Sequence, residues 1–140
     1  MDPVDEMLAR YPTSMLSHVG IRYVERSDER VVAELDFRPE LQQLTGLFHA
    51  GALVTLADST ATAAAMRHAH RGHGGPLPPE RFPLAVQISS AFLRNAGHGT
   101  VRAEARIIHP GRRMVVIETR VTDEDGRLLV VQTSTHLVPG

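Results

Sequence analysis

Apolar and polar residues change their spacing several times along this chain, and each change marks an element. Residues 2–18 fit one or two short helices, with Asp2 as an N-cap, Pro3 in the first turn and Pro12 ending the pattern. From residue 21 the period drops to two. Residues 21–26 and 30–37 form a predicted hairpin around Ser27-Asp28-Glu29, with Val31, Ala33, Leu35 and Phe37 facing one way and Val32, Glu34 and Asp36 the other. A loop over 39–48 leads into one long Ala-rich helix, expected over 49–69 and ending near His68 to Arg71. The Gly- and Pro-rich stretch 71–79 cannot continue a helix and is expected to be an exposed, mobile loop.

The C-terminal half is a run of strands, expected over 84–93, 100–109, 113–123 and 127–138. Pro110-Gly111 and Asp125-Gly126 form the turns between the last three. Residues 100–109 alternate cleanly, Val101, Ala103, Ala105 and Ile107 against Arg102, Glu104 and Arg106. Strands of about ten residues span roughly 30 Å, and a helix of about 18 residues is nearly as long. A helix that is apolar almost all round must be covered almost all round. A curved antiparallel sheet wrapped about one long central helix meets both requirements, so the expected class is α+β, as one domain over residues 1–140.

Charge sharpens the picture at one position. Between Glu40 and Arg67 the only formal charge at neutral pH is Asp58, in the middle of the Ala-rich helix. A buried unpaired carboxylate is costly, so such a group is neutralised, paired or kept for chemistry. The alternative is an Asp on the helix's polar stripe beside Thr55, Ser59 and Thr62. The rest of the composition mainly excludes. Apolar and charged fractions of 42% and 22% are ordinary for a globular chain, and the net charge of −1 provides no basic field for nucleic acid. With no cysteine there is no disulfide, thiolate metal site or Cys nucleophile. His68, His70 and His73 lack the i, i+4 spacing of a helical metal pair, Gly72 to Gly75 lack the Lys-Ser/Thr of a phosphate loop, and no G-x-S-x-G is present. The acidic N-terminus lacks signal-peptide order and no apolar stretch reaches spanning length, which places the expected protein in the cytoplasm, away from membranes.

The segment His49-Ala50-Gly51-Ala-Leu-Val-Thr-Leu56-Ala57-Asp58 resembles the H-G-G-x-x-x-x-L-x-D segment of the PaaI-type acyl-CoA thioesterases, with Ala50 in place of the first Gly. Gly46 stands where that family has a Gly three residues before the His. Phe92-Leu-Arg94-Asn95-Ala96 is similar to its F/Y-L-R-P-A strand end, and His109-Pro-Gly111-Arg112 and Asp123-Glu-Asp-Gly126 are similar to its two hairpin turns. The resemblance covers roughly residues 16–138. It implies the hotdog fold, hydrolysis of an acyl-CoA without a cofactor, and dimers commonly paired into homotetramers. It also implies a role for Gln43, six residues before His49, where the family often has an Asn that orients the water or carbonyl. Arg94, Arg112 and Arg113 fall at strand ends where the family meets the CoA phosphates and pantetheine. The family's small polar residue after the helix falls near Ala85, which has no hydroxyl.

The residues support the same chemistry directly. The start of the helix, at Ala50 and Gly51, offers unpaired N–H groups and the positive end of the helix dipole for a developing oxyanion. Asp58 is then a general base on water, or a nucleophile forming an anhydride; the sequence leaves both open. His49 either bonds the thioester region or fixes the loop. Eight residues separate Ala50 from Asp58, about 12 Å along the axis. One helix cannot bring its own acid to its own N-terminus, so the expected protein is a homodimer at least, with antiparallel helices pairing Asp58 of one chain with Ala50 of the other. A hotdog hydratase or dehydratase ranks lower, because His49 is followed by Ala-Gly instead of the Phe-Pro of that class. A non-catalytic acyl-CoA sensor or scaffold is the third reading. Phenylacetyl, short aliphatic and aromatic acyl groups all fit.

Overall fold

The computed structural model describes residues 2–71 and 77–139. The predicted loop over 71–79 therefore falls largely outside the described residues, as does His73. Two short helices, α1 (Pro3–Arg10) and α2 (Met15–Val19), precede the hairpin β1 (Arg22–Arg26) and β2 (Val31–Asp36). The long helix α3 (Ala50–His70) follows, then β3 (Leu84–Phe92), β4 (Thr100–Pro110), β5 (Met114–Thr122) and β6 (Leu128–Leu137). One antiparallel sheet has the order β1-β2-β4-β5-β6-β3. The predicted elements are all present, shifted by a residue or so at their ends. Pro110, read as part of a turn, closes β4 instead, beyond a bulge between Ile107 and His109.

Local chemistry explains the boundaries. The Asp2 carboxylate accepts the Val4 N–H at 2.9 Å and Pro3 occupies the first turn, which caps α1 as expected. Gly46 has φ +88, a left-handed conformation that a side chain would strain, and it turns the chain just ahead of α3. That loop is held by the Gln42–Phe48 bridge and by His49 N–H to Leu41 C=O at 2.8 Å.

Helix α3 lies against β2, β4 and β5, with lighter contact to β6 and β3, while α1 and α2 cover it elsewhere. Its run Ala63-Ala64-Ala65-Met66 is buried on consecutive positions, as a helix enclosed on more than one side requires. Val101, Ala103 and Ala105, on the face that their alternation predicted, join Val115, Ile117 and Val121 on the inward face of the sheet. Val32 points the other way and is also buried. Its register partners are Glu25 and Glu104, and Arg30 ion-pairs with both, so their side chains close over it.

The inner face of β6 differs from the rest of the core. Gln132, Ser134 and His136 are completely buried, with Thr119 opposite Gln132 on β5. Ser90 donates to Gln132 Oε1 at 3.0 Å and Ser134 Oγ meets His136 Nε2 at 2.9 Å. Burial pushes the His136 imidazolium below its usual titration range.

Candidate active site

Asp58 stands at the boundary between a polar turn of α3 and an apolar pocket of about 610 Å³. Ser59, Thr62, Ala63 and Met66 continue the α3 wall. Val4, Met7 and Leu8 of α1, with Tyr11 at its C-cap, form the wall facing it, and Phe82, Leu84 and Ala85 close a third side. Asp58 Oδ1 is buried and has no hydrogen-bond partner among the described residues. Desolvation pushes the carboxyl above the ordinary Asp range, and a hydrogen bond from Thr62 opposes that shift. Tyr23 contributes its ring to the pocket while its hydroxyl donates to Ser59 C=O at 2.8 Å. Burial, then the charge of Asp58, raises that phenol's pKa. Among the described residues that line it, Asp58 is the only carboxyl group in a pocket otherwise able to hold an apolar group.

The start of α3 is a separate, exposed place. His49 is the N-cap: its Nδ1 accepts the Gly51 N–H at 2.8 Å, which leaves the proton of the neutral ring on Nε2. A Cβ at Gly51 would stand 2.9 Å from Nδ1, so Gly at this position allows the cap. Ala50 is helical; among the described residues none other than glycine has positive φ, so replacing the resembling family's Gly imposes no backbone strain here. The Ala50 N–H has no partner among the described residues, whereas the Gly51 N–H is occupied by the ring.

Gln43 sits in the loop before this cap. Its Oε1 accepts from both the Thr45 hydroxyl, at 2.8 Å, and the Thr45 N–H, which leaves Nε2 as its outward donor. The arginines divide between the two ends of the sheet. Arg94 N–H reaches Leu129 C=O at one end of β6, and Val138 N–H reaches Arg113 C=O at the other. Nine residues of strand separate these points, roughly 30 Å. The Arg94 end adjoins the start of α3, through Asn95 Nδ2 to Phe48 C=O at 2.8 Å. The Arg112–Arg113 end adjoins its C-terminus, through His68 Nε2 to Gly111 C=O at 3.0 Å. A single chain thus keeps Arg94 apart from Arg112 and Arg113, and Asp58 about 12 Å from Ala50.

Of the large apolar side chains near the ends of α3 and on the segments that flank it, Met66 and Phe82 line the pocket. Phe48 is instead core, stacked edge-to-face on Phe37 with centroids 5.1 Å apart, and Leu47 and Phe92 are exposed. The sequence reading missed the α1 wall. Its signal was present, since Val4, Met7, Leu8 and Tyr11 follow the i, i+3, i+4, i+7 spacing of one helical face. Among the described residues no group of three His, Asp or Glu could hold a metal, and no helix is long and apolar enough to cross a membrane.

The sheet's two edges differ. Strand β3 carries no charged residue and exposes Leu84, Val86, Ile88 and Phe92, and its ladder is filled by β6 on one side only.

Comparison with known proteins agrees with this geometry. The family model of the thioesterase superfamily matches residues 45–130. A provisionally named esterase of Mycobacterium tuberculosis is 31% identical over 114 residues, spanning 81% of this chain and 77% of that protein. The 1,4-dihydroxy-2-naphthoyl-CoA hydrolase of Listeria monocytogenes is 28% identical over 120 residues, spanning 86% and 91%. The structure of the PaaI protein of the Escherichia coli phenylacetic acid degradation operon superposes with a TM-score of 0.81 at 18% identity, covering 99% of this chain and 94% of that one, a likeness of fold. With a six-stranded antiparallel sheet around one long helix, and with this match over most of its length, the chain belongs to the thioesterase superfamily and has the hotdog fold.

Proposed function

We propose that this protein hydrolyses acyl-CoA thioesters at sites shared between two copies of the chain. The observation that carries the reading is Asp58: one carboxylate with an unpaired, buried oxygen in the wall of an apolar pocket, on a chain matching thioesterases. The Listeria relative's name, a CoA thioester hydrolase of an aromatic acid, supports the substrate class.

The unpartnered strand β3 supports the dimer. Pairing β3 with its copy fills the open ladder and covers its exposed apolar side chains. An antiparallel arrangement of the two α3 helices then brings Ala50 of the partner to Asp58. The thioester carbonyl lies against the partner's Ala50 N–H, aided by the outward Nε2–H of its His49, and each such donor contributes about 3 kcal/mol in known oxyanion sites. Asp58 takes a proton from water as the water oxygen attacks the carbonyl carbon. Collapse of the tetrahedral intermediate breaks the C–S bond, and the CoA thiolate leaves with the proton Asp58 received. A raised pKa makes Asp58 a stronger base than an ordinary carboxylate. Direct attack by Asp58 is the other route; label in the Asp58 carboxylate after a single turnover in H₂¹⁸O would establish it, since only water attack at the Asp58 carbonyl of an anhydride places label there. The same pairing brings the partner's Arg94, at the Ala50 end of its sheet, to the side where CoA leaves the pocket, while Arg112 and Arg113 lie at the far end. Two such dimers complete the homotetramer.

The direct test is CoA release from an acyl-CoA panel by wild type and Asp58→Asn. Wild-type turnover, with a loss of at least about 100-fold in kcat in a folded variant, is the expected result. Absence of release from every ester by the wild type, combined with tight acyl-CoA binding, would replace this reading with a sensor.

A further inference from the structure

The Asp58 pocket extends beyond the part of the chain that matches the family model. That match begins at residue 45, yet one whole wall of the Asp58 pocket comes from α1, near the N-terminus. The two walls differ in chemistry. The α3 wall is mixed, with Asp58, Ser59 and Thr62 beside Ala63 and Met66; the α1 wall presents Val4, Met7, Leu8 and the ring of Tyr11. The reacting carbon must lie beside Asp58, so an acyl group extends from the α3 wall toward α1. A pocket of about 610 Å³ lies in the range that holds drug-sized ligands, and an acetyl group would leave most of its apolar surface wet.

The way α1 is attached suits it to this task. Its first turn is anchored by the Asp2 cap, by the ion pair of Asp2 with Arg67 on α3, and by Asp5 to Arg26 at 2.8 Å. Val4 is buried at the base of the pocket, and exposure rises along the helix until Tyr11, 48% exposed, stands at the rim. The distance from a fixed base to an open rim sets the reach of the cavity.

We propose that α1 is the acyl selector: Met7, Leu8 and Tyr11 form the wall that receives a bulky apolar acyl group, so that the enzyme strongly favours such esters over acetyl-CoA. This inference rests on the thioesterase reading of Asp58 and adds the substrate class and the element that chooses it.

The test compares kcat/KM for octanoyl-CoA and acetyl-CoA in wild type, Met7→Trp and Tyr11→Ala. Wild type should favour octanoyl-CoA by at least about tenfold, the discrimination that one methylene commands in an apolar pocket. Met7→Trp fills the cavity, and the octanoyl-to-acetyl ratio should fall at least about tenfold. Tyr11→Ala removes an exposed rim residue, leaves the fold as it is, and should lower the ratio about threefold by opening the mouth. Hydrolysis of both esters with ratios equal within about twofold in all three proteins overturns the selector and leaves the thioesterase reading standing. An active wild type that favours acetyl-CoA also overturns it. A wild type that hydrolyses neither ester overturns the thioesterase reading and the selector together.

Discussion

The two edges of this sheet differ in length, charge and exposed apolar surface. Strand β1 is five residues long, and three of them, Arg22, Glu25 and Arg26, are charged. Arg22 is tied to Asp36 and Glu34, and Arg26 to Asp5 on α1. Strand β3 is nine residues long and uncharged, keeps unbroken register with β6 from Gln87 to Phe92, and leaves its apolar side chains uncovered. Charges on a short edge strand discourage pairing with another chain; a long apolar edge invites it. The open edge lies on the side of the molecule where the Asp58 pocket begins, through Leu84 and Ala85. On the proposed reading, a site completed by a second chain and an edge open to that chain are two aspects of one requirement.

The largest expected effect comes from making β3 resemble β1. Val86→Lys places a charge on the open edge, and the protein should become monomeric by light scattering. Its kcat/KM should drop at least about 100-fold, because losing even one oxyanion donor has that effect. Val24→Lys on β1, at a similarly exposed position, should leave both quantities within about twofold. A monomeric Val86→Lys with full activity would separate the edge from the site.

Next in size is the contrast between the two ends of the sheet. Arg94→Ala should raise KM for an acyl-CoA about tenfold, the worth of a charge-assisted contact to phosphate, and Arg112→Ala less than about threefold. The reverse order would place CoA at the C-terminal end of α3.

Smaller effects concern pH. Asp58 has its folded pKa raised, so the folded state favours the protonated form and ionised Asp58 lowers stability at neutral pH. Asp58→Asn should therefore melt a few degrees higher than wild type at pH 7.5, with the gain fading toward pH 4. In the wild type the acid limb of kcat should lie above the ordinary Asp value of about 4. His136 has the opposite sign. Its folded pKa is lowered, so the unfolded chain takes up the proton first and stability declines as pH falls below about 6.5. His136→Gln should flatten the urea midpoint between about pH 6.5 and 5, a smaller change than any above.

How much of this the sequence carried depended on range. The central helix, its lone carboxylate and the alternation of residues 100–109 rest on short-range pattern, and all three appear in the structure. The N-cap at Asp2 was equally local. The apolar stripe of α1 was equally regular, but a stripe does not say what it faces, and its partner on α3 lies more than fifty residues away. On β6 the pattern itself was ambiguous. Gln132, Ser134 and His136 alternate with Val131, Thr133 and Thr135, and neither set reads as the apolar face, so burial of the more polar row could not be seen beforehand. The place of β3 beside β6, and hence the open edge, depends on strand order, which chain order does not fix. At the helix start, residue types pointed to two free donors. The His49 ring takes one of them, a competition that only the folded loop reveals.

The central claim, that each active site needs two chains, is tested most directly by complementation. Ala50→Pro removes a single N–H while keeping helical geometry, since Pro suits the first helical position and His49, at φ −63 and ψ 132, already has the conformation a following Pro requires. Alone, Ala50→Pro and Asp58→Asn should each be nearly inactive. Co-expressed, they form hybrids with one intact and one doubly defective site, and random pairing predicts return of about a quarter of wild-type activity. Verified hybrids that stay as inactive as their parents would contradict a shared site and return Asp58 and its donors to a single chain.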